Sequence, residues 1–95
     1  MKTLDQTRTE ERVVAMLRAL ANPARFKIFQ ELRRRRSCQC GPLVDALPLA
    51  QSTVSEHLKR LREVGLVRGE VEGPATCYCV DEEALTWLKR EIAGL

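Results

Sequence analysis

The chain has 95 residues, enough for one domain (1–95, with 1–7 read as a flexible tail) and too few for two. Its two phenylalanines, one tyrosine and one tryptophan favour aliphatic packing between helices over a β-sandwich. A formal charge of +3 is a mild basic excess that does not by itself argue for nucleic acid, and no stretch approaches the length of a membrane span. Residues 1–5 hold no apolar run, so no secretory signal is expected and the chain reads as cytosolic. In that compartment four cysteines are expected to be reduced thiols, metal ligands or redox sensors rather than structural disulfides.

Thr7 and Glu10 have the spacing of a capping box, and Val13, Met16, Leu17, Leu20 and Ala21 follow at helical spacing, which predicts a first helix over about 8–21. Asn22-Pro23 restarts a helix, with Asn22 as cap and Pro23 at the first position. Ala24, Ile28, Phe29 and Leu32 line its face. Arg33 to Arg36 end it at the negative pole of the helix dipole, more as solvated cations than as phosphate contacts. Residues 37–40, Ser-Cys-Gln-Cys, alternate as a short extended piece. Pro42 is placed to open a short third helix over 43–47, which Pro48 ends. Residues 51–64 are strongly periodic, with Val54, Leu58 and Leu61 on one side and Gly65 as a C-terminal stop. Residues 66–71 predict a strand, 72–75 a turn and 76–80 the return strand. Asp81 caps a last helix whose stripe is Leu85, Leu88 and Ile92. Trp87 and Leu88 are assigned to an interface between subunits.

The pattern is mainly α with a small β-hairpin: a winged helix-turn-helix of five helices plus a two- or three-stranded wing sheet. The periodic helix at 51–64 carries Gln51, Ser52, Thr53, Ser55, Glu56 and Lys59 away from its apolar side. Gln51 can pair with adenine through two hydrogen bonds, and the hydroxyls can donate or accept at base edges. Lys59, Arg60, Arg62 and Arg68 bring positive charge towards the phosphates, which supply most affinity. A plain amphipathic helix with a solvated face has the same pattern. Glu56 has the wrong charge for phosphate; it can accept from cytosine or pair with Arg60 one turn on. His57, the one histidine, is read as a packing or phosphate contact rather than a metal ligand.

Two segments carry a family resemblance. Residues 20–29 (LANPARFKIF) and 49–61 (LAQSTVSEHLKRL), the latter followed by Gly65-Leu66-Val67, resemble the signatures of the ArsR/SmtB metal-sensing repressors. The resemblance runs from about residue 13 to 92. It implies a homodimer joined by the first and last helices, with each subunit setting a recognition helix in a major groove of operator DNA. It also implies repression relieved by a bound ion, and no enzymatic activity. Gln51, Ser52, Ser55 and Glu56 match the base-contacting positions. Ala50 stands where the family often has a capping serine, a loss of about 1 kcal/mol. Asp81 matches a carboxylate of the family's zinc site on the last helix, but no histidine follows it, so Asp81 is read as a cap and no zinc site is expected there.

All four cysteines fall in two C-x-C pairs, Cys38/Cys40 and Cys77/Cys79. Residues two apart on a strand share a face, so Cys77 and Cys79 point together, with Tyr78 opposite. If residues 37–40 pair with the return strand, three or four sulfurs meet, and a separation above ~7 Å would exclude that. Thiolates select soft ions. Trivalent arsenic and antimony take three thiolates in a pyramid, and Cd(II), Pb(II) and Zn(II) are further candidates. The arsenic sensors of the resembled family carry a C-x-C matching Cys38/Cys40 with a third cysteine soon after. Here Leu43 stands about there, which leaves the third ligand to Cys77 or Cys79. The alternatives are a redox or persulfide thiol switch, for which the neighbouring arginines favour thiolate at Cys38; a structural zinc clamp; a thiol oxidoreductase or metal carrier, which lacks a thioredoxin-type βαβ pattern; and inert buried cysteine.

Overall fold

The computed structural model describes residues 4–35, 38, 48–72 and 75–95. Four helices and one hairpin form among them: α1 (Leu4–Leu20), α2 (Pro23–Arg35), α3 (Gln51–Glu63), β1 (Val67–Glu72), β2 (Ala75–Val80) and α4 (Glu82–Ala93). The short helix expected over 43–47 lies outside the described residues, so four helices stand where five were expected.

The first helix begins earlier than predicted. Residues 4–7, read as part of a flexible tail, are helical, and Thr7 and Glu10 lie inside α1 instead of opening it. Neither proline nor glycine precedes Thr7 to stop the helix from extending backwards. At the α1–α2 junction the expected cap is present: Asn22 Oδ1 accepts from the Arg25 N–H at 3.0 Å, and Pro23, which has no N–H to leave unsatisfied, opens α2. Asp81 caps α4 in the same way, accepting from the Ala84 N–H at 3.0 Å.

The end of α3 fixes the wing. Gly65 has φ +85°, a conformation that costs a residue with a Cβ. Its N–H donates to the Arg62 carbonyl at 3.0 Å, and the Leu66 N–H donates to the Leu61 carbonyl at 3.0 Å. This is a Schellman ending, and Leu61 and Leu66, both fully buried, supply its hydrophobic contact. The chain then enters β1, which pairs antiparallel with β2 from Val67↔Val80 to Glu72↔Ala75. The Asp81 N–H donates to the Leu66 carbonyl at 2.9 Å, so the hairpin closes where α4 begins.

One core joins every element. Met16 and Ala19 from α1, Ile28, Phe29 and Leu32 from α2, and Val54, Leu58 and Leu61 from α3 meet Leu66, Val67 and the Ala84, Leu85 and Leu88 side of α4. Leu88, assigned to a subunit interface, is core instead, 2% exposed. Trp87 is half-buried against the same core, and the Arg12 guanidinium lies 4.3 Å from its ring centroid, a cation–π contact that joins α1 to α4. The surface side of these two helices keeps other apolar residues: Val14 and Leu17 on α1, Ile92 on α4, and Leu95 just beyond it.

Candidate DNA-reading helix and cysteine site

The helix α3 divides as its sequence predicts. Val54, Leu58 and Leu61 are buried, while Gln51, Ser52, Thr53, Ser55, Glu56, Lys59 and Arg60 are all exposed. Ala50, extended at φ −68° and ψ 149°, occupies the cap position and offers no side-chain bond, so the N-terminal N–H groups of α3 are uncapped from that residue. Glu56 pairs with Arg60 at 3.9 Å, and Glu63 approaches the same guanidinium at 3.5 Å. Arg60 therefore stands between two carboxylates, while Lys59 and Arg68 are exposed.

The wing is held close to this helix. A Cβ at Gly69 would stand 3.0 Å from Arg62 Cδ, so the glycine leaves the space through which the Arg62 side chain passes. Behind the helix, Arg25 reaches two neighbours: its Nε donates to His57 Nδ1 at 3.4 Å and its Nη1 to the Ala19 carbonyl at 3.2 Å. Burial, and then the facing Arg25 guanidinium, hold the His57 imidazole below its ordinary pKa; Glu56 opposes them weakly. His57 is thus a packing and hydrogen-bonding residue of the α2–α3 junction. The arginines ending α2 are ion-paired at the surface: Arg34 and Arg35 with Glu31, and Arg33 with Glu82 at 3.4 Å. The hydrogen bond from Arg34 leads the effects that hold Glu31 below the ordinary carboxylate value.

The cysteines of the two pairs do come together. Cys38, just past α2, is disulfide-bonded to Cys79 on β2, 41 residues away, with their Cα atoms 4.3 Å apart. Cys77 is also disulfide-bonded. Cys77 and Cys79 share one buried face of β2, as period-two alternation requires, while Tyr78 packs partly buried against the core. Cys40 lies outside the described residues. The expectation of reduced thiols therefore meets bonded ones, because the approach of the sulfurs is close enough for oxidation. Among the described residues no three histidine, cysteine or carboxylate side chains converge as a preformed metal site.

Residues 20–70, from the last residue of α1 into β1, match the family model of a helix-turn-helix domain. The chain is 31% identical over 91 residues to the arsenical resistance operon repressor of Bacillus subtilis, covering 93% of this chain and 86% of that protein. This chain belongs to the ArsR/SmtB family of helix-turn-helix repressors. Another ArsR/SmtB relative, the transcriptional repressor SmtB of Mycobacterium tuberculosis, is 46% identical over 63 residues, which are 66% of this chain and 46% of that protein. The chain thus spans about half the length of that relative. A homodimeric winged helix-turn-helix DNA-binding domain from Mycobacterium bovis superposes with a TM-score of 0.75 at 24% identity, covering 98% of this chain and 88% of the other. That likeness gives the fold, a winged helix-turn-helix in which β1–β2 is the wing and α3 the helix that precedes it.

Proposed function

We propose that this chain is a DNA-binding transcriptional repressor released from its operator when a thiophilic ion, trivalent arsenic or antimony above all, binds its paired cysteines. The observation that carries the reading is the meeting of Cys38 with Cys79 across 41 residues of chain. Once reduced, those two sulfurs form a soft donor pair that suits As(III) or Sb(III) better than a hard cation. A pyramidal site needs a third thiolate, from Cys77 two residues along β2 or from Cys40. The family supports a metal effector, and the arsenical resistance repressor supports arsenic.

DNA is held by Gln51, Ser52, Thr53, Ser55 and Glu56 at base edges and by Lys59, Arg60 and Arg68 at phosphates, in a homodimer joined through α1 and α4. The exposed Val14, Leu17, Ile92 and Leu95 supply the apolar surface such a dimer would cover. The effector acts where α2 ends and the wing begins. Cys79 lies opposite Arg68 in the hairpin register, so closing an ion between Cys38 and Cys79 pulls on the strand that presents Arg68. By linkage, an ion that weakens DNA binding is itself weakened by DNA to the same degree, typically ~1–3 kcal/mol.

The bond between Cys38 and Cys79 favours a second reading, a dithiol switch. Two thiols give up two protons and two electrons to a peroxide, which becomes water, and the resulting disulfide changes the wing. One experiment separates the two: a DNA-binding titration of the reduced protein at fixed salt against arsenite, antimonite, cadmium, lead, zinc and peroxide. Release by arsenite, lost in Cys38→Ser and Cys79→Ser, supports the ion sensor. Release by peroxide alone supports the switch. Indifference to every addition overturns both.

A further inference from the structure

Arg25 bonds to three separate parts of the fold. Its N–H donates to Asn22 Oδ1 at 3.0 Å, which fixes its backbone in the first turn of α2. Its Nη1 donates to the Ala19 carbonyl at 3.2 Å. In an unbroken helix that carbonyl would accept from the residue four along, which is Pro23 and has no N–H. The guanidinium supplies the donor that the proline lacks, at the negative end of α1. Its Nε donates to His57 Nδ1 at 3.4 Å. One planar group thus ties the end of α1 to the middle of α3, through donors held in a fixed fork.

His57 is half-buried and follows Ser55 and Glu56, both exposed. The buried side of α3 is apolar, through Val54, Leu58 and Leu61. Apolar contact is non-directional and fixes the roll of a helix less sharply than a hydrogen bond does. A roll of about 10–20° is enough to carry a contacting side chain out of its productive geometry. We infer that Arg25 is a positioning residue for DNA reading: acting through His57, it sets the roll of α3 and with it the preference for operator over unrelated DNA. The inference rests on the DNA-binding reading above. Among the described residues, the charges that act on His57 are Arg25 from α2 and Glu56 from its own helix, and α1 meets the contact through the Ala19 carbonyl. Burial and then Arg25 favour the neutral ring that the contact needs. A protonated ring has no acceptor at Nδ1 and sets a second cation against Arg25, so acid should release the contact.

The test compares affinity for a fragment of the gene's own promoter with affinity for an unrelated duplex of equal length, at fixed salt, from about pH 8 to about pH 5. In the wild type the ratio of the two affinities should fall as pH drops and His57 takes up its proton. Arg25→Ala should lower the ratio about tenfold at the upper pH and make it insensitive to acid. Its affinity for the unrelated duplex should stay within about twofold, because exposed cations such as Lys59 remain. Arg25→Lys keeps the charge without the fork and should behave like Arg25→Ala. His57→Gln keeps an acceptor that does not titrate, so its ratio should stay high at every pH. Unfolding midpoints check that each variant is folded. Should Arg25→Ala not fold, His57→Leu removes the same contact and leaves Arg25 on the Ala19 carbonyl; an unchanged ratio in that variant would overturn the inference. So would equal losses on both duplexes restored by Arg25→Lys, which would make Arg25 a phosphate contact, or an acid dependence of the ratio that survives His57→Gln. A wild type that prefers neither duplex at any pH would overturn the DNA-binding reading as well, and the wild type alone tells the two failures apart.

Discussion

Arg25 Nε donates to His57 Nδ1 at 3.4 Å, joining the first turn of α2 to the middle of α3. As an acceptor, Nδ1 carries no proton, so the imidazole is neutral in the fold. Protonation would set a second cation against the Arg25 guanidinium.

A pH dependence follows from that arrangement. The folded imidazole titrates below its ordinary value of 6.5, so as pH falls the unfolded chain takes up a proton first. The stability tied to neutral His57 is therefore complete above about pH 6.5 and is lost progressively as pH drops below it. Urea midpoints at about pH 7.5 and about pH 5.5 should differ in that direction, and His57→Gln should flatten the difference. An equally steep dependence in His57→Gln would assign it to other groups.

The turn after α3 gives a sharper test of backbone conformation. A Cβ at Gly65 would meet nothing nearer than 3.9 Å, yet its φ of +85° disfavours any L side chain. Gly65→Ala should therefore cost about 1–2 kcal/mol through backbone strain alone. Gly94, at φ −82°, is the control: Gly94→Ala should stay within about 0.5 kcal/mol of the wild type. Equal effects at the two sites, read from urea unfolding, would remove the assigned role of the Schellman ending.

The two helix caps differ in a way that predicts opposite signs. Asp81 bonds the Ala84 N–H, whereas Ala50 bonds nothing from a backbone already extended as a cap requires. Asp81→Ala should destabilise by about 1 kcal/mol and Ala50→Ser should stabilise by about the same amount. Both are measurable as shifts in the thermal midpoint.

Where the chain has local chemistry, its sequence was a sufficient guide. Asn22-Pro23, Gly65 and Asp81 each act through their own backbone or a residue three along, and each bounds its element as expected. The meeting of Cys38 and Cys79 is legible for a related reason: alternation puts Cys77 and Cys79 on one face of the return strand, where a cysteine following α2 can reach them. What escaped is tertiary. An amphipathic stripe says that Leu88 is covered but not by what, and the stripe alone does not separate core from interface. The Thr7–Glu10 spacing opens a helix in some contexts and lies inside one in others; here nothing stops α1 short of Leu4. Arg25 and His57 stand 32 residues apart, and neither residue type calls for the other.

The apolar outer side of α1 predicts how the chain assembles. Val14 and Leu17 are 45% and 40% exposed, so neither is needed for the monomer core. Leu17→Glu should leave the unfolding midpoint of the monomer nearly unchanged and shift the sedimentation of the protein from dimer to monomer. DNA affinity should fall with it, since two half-sites would no longer be read together. A dimer that survives Leu17→Glu would place the interface elsewhere.

Phosphate and base contacts on α3 should separate by their salt dependence. Lys59 is an exposed cation just over two helical turns beyond Gln51, which opens the helix as an exposed amide. Lys59→Ala should weaken binding to operator and to unrelated DNA alike, and should reduce the slope of log affinity against log salt by about 1. Gln51→Ala should leave the slope unchanged and cost about 1–3 kcal/mol on the operator alone, because an amide reads a base edge and releases no counterion. If Gln51→Ala weakens both DNAs equally, the N-terminus of α3 is not the reading end, and specificity has to come from the wing.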